Sequence, residues 1–187
     1  PKRLIEISVQ EEGSNLKLNW PAVAGFSIYA VATAEGAFAK SIARAAWYSH
    51  TRETELAVDT DHDFFSVFGF EAEGIPGVLL GYGRRLREVN RLQVEEFQSQ
   101  IRLLWTIDDQ AAKVVIFKSQ ANQALSTHPS AERVVAESVG DGSFVDEKVS
   151  PGEDYEYRAC VQWDGPGRVL TTSGRSATAG VYAPVPG

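Results

Sequence analysis

Leu16 to Trp20 reads LKLNW, and Ile101 to Trp105 reads IRLLW. In both, apolar side chains recur at every second residue and the run closes on tryptophan, the period of a strand with one buried face. The likeness extends outward from the two tryptophans, which stand 85 residues apart. Tyr29 and Val31 follow Trp20 by nine and eleven residues, and Val114 and Ile116 follow Trp105 by the same intervals. Further along, GIPGVLLGYGRR (Gly74 to Arg85) is echoed by GPGRVLTTSGRS (Gly165 to Ser176), with Pro76 and Pro166 90 residues apart. Two anchors in one order and at similar spacing mark a unit of about 90 residues that occurs twice.

Each unit has the pattern of strands. Short runs alternate with period two, and Gly, Pro, Asn and Asp separate them. Strands are expected near 4–11, 15–20, 26–33, 40–48, 54–59, 63–72 and 78–87, then near 92–97, 100–106, 113–119, 132–138, 143–148, 154–163 and 168–175. Seven short strands in about 90 residues indicate a β-sandwich. One segment is ambiguous. AFAKSIARAAW, Ala37 to Trp47, is alanine-rich and spaces Phe38, Ile42 and Ala46 at i, i+4, so strand and helical turn both stay open. Pro76-Gly77 and Pro166-Gly167 suit tight hairpins between the last two strands, since Pro presets one φ and Gly accepts a positive one. Pro21 lacks an N–H and should end the second strand.

SPGEDYEYRACVQW, Ser150 to Trp163, resembles the E–F corner and F strand of fibronectin type III domains. Pro151-Gly152 precede Tyr155, and Tyr157, Ala159 and Val161 follow on one face. Trp20 and Trp105 match the family's B-strand tryptophan. The resemblance covers nearly the whole chain as two copies, 1–90 and 91–187. It implies an all-β fold of two immunoglobulin-like sandwiches in tandem. It implies no reaction and no cofactor, since such domains act mostly as binding modules, spacers or adhesion units. Aligning on the prolines sets Tyr155 against Phe65, and Ser150-Pro151-Gly152 against Thr60-Asp61-His62. Phe65 lacks the hydroxyl of a tyrosine corner. Either another group satisfies that corner in unit one or the corner differs. The linker, from Glu88 to Leu92, is short and reads as a restricted hinge. The tail VYAPVPG after Gly180 reads as extended linker.

Composition bounds the function. The 187 residues carry 18 Lys and Arg against 25 Asp and Glu, a net charge of −7. Neither half is basic, which argues against nucleic acid as a partner. Arg84, Arg85, Arg87 and Arg91 form the one basic run and are expected to be a solvated strand end and linker. No apolar run reaches the roughly 18 residues of a membrane-spanning helix. No signal peptide is visible. The chain has no Met and starts at Pro1, and is read as a piece of a larger, bacterial protein. Cysteine poverty suits the cytosol and a bacterial surface equally. Cys160, the single cysteine, rules out an internal disulfide framework and is expected to be a free structural thiol.

Motifs with chemical meaning are weak. Asp59, Asp61 and Asp63 alternate in DTDHD, but an EF-hand needs Gly sixth and Glu twelfth, where Phe64 and Phe70 stand. His50, His62 and His128 are scattered without ligand spacing and are expected on surface loops, so no metal is assigned. GDGSF, Gly140 to Phe144, lacks the Lys-Ser/Thr ending of a phosphate loop and reads as a turn. No nucleophile motif or carboxylate pair stands out, and no catalytic residue is assigned.

The anomaly is apolar residues on the wrong face. With Phe65 and Val67 inward, Phe64, Phe68 and Phe70 point outward, joined by Ile28, Ala30 and Tyr82. The same positions in unit two are Arg158, Cys160 and Gln162. Such a strip marks an interaction site unless segment 36–48 or unit two covers it, or the register is off by one. The expected binding residues are therefore Ile28, Phe64, Phe68, Phe70, Tyr82 and, beside a loop tip, Trp163. Loop tips 73–77 and 163–168 are second candidates. The expected function is a non-catalytic protein-interaction or spacer module with a protein partner. The alternative is an accessory region of a secreted carbohydrate-active enzyme or adhesin, where a glycan would need Trp47, Tyr48 and Trp163 in a row.

Overall fold

The computed structural model describes residues 3–72, 76–121, 132–165 and 168–182 and divides into two compact units, Pro1–Arg85 and Leu86–Gly187. The strands of unit one are β1 (Ile5–Glu6), β2 (Ser8–Glu12), β3 (Asn15–Asn19), β4 (Ile28–Thr33), β5 (Trp47–Thr51), β6 (Glu55–Val58), β7 (Phe64–Phe70) and β8 (Val78–Arg84). They form a five-stranded sheet, β1-β8-β7-β4-β5, facing a three-stranded one, β2-β3-β6. The first strand switches sheets at fully buried Ile7: β1 runs parallel to β8, and β2 pairs with β3. The switch needs Gly81, because a Cβ there would collide with the Ile5 carbonyl oxygen.

Alternation places the core as expected. Leu16, Leu18 and Trp20 meet Tyr29, Val31, Val58, Phe65 and Val67, with the Trp20 ring edge-on to Tyr29 at 5.7 Å. β3 ends at Asn19, before Pro21. The ambiguous segment is neither a full strand nor a helix. It makes one 3-10 turn, Ile42–Arg44, and extended pairing begins only at Trp47. The reason lies in tertiary packing: the segment crosses the sheet's face, so Ala34, Ala39, Ala45 and Ile42 pack against that face.

The strands of unit two are β9 (Arg91–Glu96), β10 (Ile101–Thr106), β11 (Lys113–Gln120), β12 (Arg133–Val139), β13 (Gly142–Asp146), β14 (Glu153–Gly165), β15 (Arg168–Thr171) and β16 (Arg175–Val181). β13-β10-β9 is one sheet; β12-β11-β14-β15, with β16 also on β14, is the other. The core is Ile101, Leu103, Trp105, Val114, Ile116, Tyr157, Ala159 and Val161. Residues 86–90 pack with this unit. Val89 is fully buried in its core, and Glu88 accepts hydrogen bonds from the Thr172 hydroxyl and the Gly174 N–H. The tail begins later than its sequence suggests, because Val181 is buried in β16 and the Tyr182 hydroxyl donates to Asp154. The Pro166-Gly167 turn, His128 and residues 183–187 lie outside the described residues.

Candidate functional site

The outward strip has the expected register. Ile28 pairs with Phe70, Ala30 with Phe68, and Ala32 with Ser66, which in turn pairs with Tyr82. The strip is nevertheless not open. Ala39, Ile42 and Ala45 lie on Ala32, Phe68, Phe70 and Leu79, leaving Phe68 3% exposed. Phe38 sets its ring edge-on to Phe64 at 5.0 Å and against Tyr82 at 4.5 Å. The Ser66 hydroxyl donates to the Ala39 carbonyl at 2.8 Å, and the Ala46 N–H to Thr33 at 2.8 Å. Residues 34–46 thus form a third layer, and the expectation of an open docking strip is corrected at Phe64, Phe68, Phe70 and Tyr82, while Ile28, half-buried, pairs with Phe70 at its end. The apolar strip and the alanine-rich segment bury each other. Trp163 is half-buried within β14, paired with Leu170, and is a strand residue, not a loop-tip one.

Sheet pairing also corrects the alignment of the two units. Thr33 and Lys118 each stand thirteen residues after their tryptophan. Thr33 pairs with Phe65, but Lys118 pairs with Tyr157. The counterpart of Phe65 is therefore Tyr157, and Tyr155 corresponds to Asp63. The proline anchors mislead because eleven residues separate Phe65 from Pro76 and only nine separate Tyr157 from Pro166. On the facing sheet, Leu16 pairs with Val58 and Ile101 with Asp146.

In unit two these positions form a buried polar cluster. Lys118 Nζ lies 2.6 Å from Asp146 Oδ2, with both side chains under 5% exposed. The Tyr157 hydroxyl donates to the same carboxylate at 2.7 Å, Lys118 also donates to the Lys148 carbonyl at 2.6 Å, and the Lys148 N–H donates to Asp146 Oδ1 at 3.0 Å. Burial pulls the Asp146 carboxyl upward, but the Lys118 and Tyr157 hydrogen bonds, the Lys148 N–H and the Lys118 charge hold it below the ordinary carboxylate range. Burial and the Asp146 carboxylate push the Tyr157 phenol up. Sequence reasoning missed this cluster, although Lys118 continues the inward period of Val114 and Ile116.

The two corners are closed differently. Tyr155 Oη accepts the Ser150 N–H at 2.8 Å, a tyrosine corner, with Gly152 at φ 82° allowing the turn. Unit one uses Arg85, expected to be solvated. Its guanidinium donates to Asp63 Oδ1 at 2.8 Å and to the carbonyls of Thr60 and His62 at 3.2 and 3.0 Å. His62 is half-buried, not a loop-surface residue, with Nδ1 2.6 Å from the Thr33 hydroxyl. Asp63 is thus engaged with arginine, and the described residues hold no group of three metal-ligating side chains. Asp141 Oδ1, in the GDGSF turn, accepts the Ile107 N–H at 2.8 Å and Gln110 at 2.9 Å. Cys160 is fully buried, and burial pushes its thiol up, away from the reactive thiolate.

What unit one does expose lies on β5. Trp47 and Tyr48 are 41% and 50% exposed and point to opposite sides of the strand, so they do not line up as a glycan platform, and Trp163 belongs to the other unit. His50 lies on this strand, not on a loop, with its ring 5.7 Å from Tyr48 and 5.4 Å from Phe70. β5 ends the sheet, and its outer edge is unpaired among the described residues.

Two sandwiches, each pairing a three-stranded sheet with a five-stranded one, define an immunoglobulin-like class of tandem module. Residues 89–177 match the family model described as "Fibronectin type III domain SaeA third domain". That match falls within unit two, and unit one has the same two-sheet sandwich plan. Among solved structures it is similar to a two fibronectin type-III domain segment from chicken tenascin, at 12% identity and a TM-score of 0.49, covering 94% of this chain and 98% of that one. It is also similar to the chicken interferon gamma receptor alpha chain, at 9% identity and a TM-score of 0.43, covering 95% and 97%. Among curated proteins none matches.

Proposed function

We propose that the chain is a non-catalytic interaction and spacing module of a larger bacterial protein, with the contact surface on unit one. One observation carries this reading. The buried titratable groups Lys118, Asp146 and Tyr157, and half-buried Arg85, are engaged by the fold itself, while unit one presents exposed Trp47 and Tyr48 on an open sheet edge. Aromatic side chains that an exposed edge does not bury are the residues interfaces favour. The test exchanges residues 1–85, and separately 86–187, for an unrelated sandwich of equal length within the parent protein. Interaction through unit one predicts that the first exchange abolishes crosslinking to the parent's partner and the second does not. Tolerance of both exchanges would leave a pure spacer.

A further inference from the structure

We propose that unit one carries a small-ligand site, selective for a compact carboxylic acid with one ring-sized apolar group. A cavity of about 220 Å³ lies where the start of β1, the β3–β4 loop and the first residues of β8 meet. Its walls include Leu4, Val23, Phe26, Val78 and Leu80, and the one charged residue that lines it is Arg3. Among the described residues of unit one, Leu4 and Val78 are two of the four large apolar side chains left exposed. Half of that exposed apolar set therefore surrounds a single opening. A concave apolar site with a polar group at a fixed place is the usual form of a small-molecule pocket.

The walls stand without a ligand. Buried Tyr29 fastens the β3–β4 loop: its hydroxyl accepts the Val23 N–H at 3.2 Å and donates to the Phe26 carbonyl at 3.3 Å. The Phe26 N–H in turn donates to the Val23 carbonyl at 3.2 Å. Phe26 and Leu80 close over Gly69, where a Cβ would stand 2.7 Å from each of their side chains. Any larger residue at 69 would push one of these two walls aside.

Size and charge set the ligand class. An apolar cavity of about 150 Å³ already holds a benzene ring. The larger volume here takes a ring with a short arm. Arg3 is exposed, and among the described residues no carboxylate pairs with it. A guanidinium meets a carboxylate with two parallel N–H donors, a match in both shape and charge. A ring seated among Leu4, Val23 and Phe26, with a carboxylate on its arm at Arg3, satisfies both parts of the site. The site shares no residue with Trp47 and Tyr48, and it stands whether or not unit one binds a protein partner there.

The experiment titrates the intact 187-residue chain with phenylacetate, its neutral amide phenylacetamide and the cation phenethylamine, followed by amide NMR. Phenylacetate should shift the signals of Val23, Ala24, Phe26 and Val78 along a saturable curve. Phenylacetamide should bind about tenfold more weakly, and phenethylamine more weakly still. Arg3→Gln should level acid and amide while the melting temperature stays unchanged. Ala24→Trp, which sets an indole in the opening, should abolish binding of both. Val78→Phe fills the opening from β8 and serves if Ala24→Trp fails to fold. Equal affinity for acid and amine would overturn the proposal. So would shifts that survive both filling variants, shifts spread over unit two, or no shifts at all.

Discussion

Thr33, Val58 and Phe65 of unit one hold the places that Lys118, Asp146 and Tyr157 hold in unit two, yet one set is nearly apolar and the other is an ion pair with a phenol. The outer faces are reversed. Unit one has Ser66, Phe68 and Phe70 where unit two has Arg158, Cys160 and Gln162. Unit one therefore needs residues 34–46 as a cover. Unit two fastens its face with Arg158, whose guanidinium grips Glu132 and lies 5.0 Å from the Phe117 ring. One sandwich topology thus tolerates opposite placements of polar groups, since Lys118, Asp146 and Tyr157 satisfy one another where they are buried.

The sharpest test of this contrast is Asp146→Ala. It leaves the Lys118 ammonium buried and unpaired, and should cost unit two about 3–5 kcal/mol while unit one keeps its stability. Urea unfolding, followed by hydrogen exchange in each unit, measures this. Converting the whole cluster to Lys118→Met, Asp146→Val and Tyr157→Phe should restore most of the loss, because a well-packed apolar set of similar volume replaces the buried ion pair without leaving a charge unpaired. A single replacement costing under about 1 kcal/mol would show that the cluster is not holding the sheets together. The pH dependence follows from the same carboxylate. Its folded pKa is depressed, so its contribution is complete above the unfolded value of about 4 and is lost as pH falls through the folded value. Acid should therefore destabilise unit two with a slope that Asp146→Ala removes.

Next in size is Phe68→Ala, which should cost unit one about 3 kcal/mol by opening a cavity beneath the cover. Cys160→Ala, at the equivalent place in unit two, should cost about 1 kcal/mol, since only a sulfur atom is lost. Similar losses at both sites would mean that residues 34–46 do not bury the strip in solution. Arg85→Met should follow at about 2 kcal/mol, because three carbonyl and carboxylate acceptors at the corner lose a charged donor.

Strand positions were legible because inward residues alternate and the two tryptophans fix the phase. The register of β7 was legible too, since Phe65 and Val67 do point inward. The fate of the outward strip was not. Alternation says which side a residue faces, and whether another segment lies on that side depends on where residues 34–46 travel, a tertiary matter. The equivalence of Phe65 with Tyr157 was hidden by hairpins of unequal length. Lys118 and Asp146 stand 28 residues apart, and only a charged residue in the inward phase of β11 hinted that they meet. The exposed edge of β5 was obscured because the fourth strand was expected at 40–48, so Tyr48 and His50 were not seen as neighbours on one strand.

The smallest expected effect separates the two corners most cleanly. Tyr155→Phe removes one hydroxyl and leaves the Ser150 N–H to find water at a partly exposed site, so the loss should be about 1 kcal/mol. The complementary change, Asp63→Tyr in unit one, places a tyrosine at the position equivalent to Tyr155. It should not stabilise that unit, because Arg85 already satisfies the Thr60 and His62 carbonyls and would lose its carboxylate partner. Thermal unfolding of both variants decides the point. If Asp63→Tyr stabilises unit one, the arginine clamp is a weak substitute for the tyrosine. If it destabilises unit one more than Tyr155→Phe destabilises unit two, the two units have closed the same corner by distinct and non-interchangeable means.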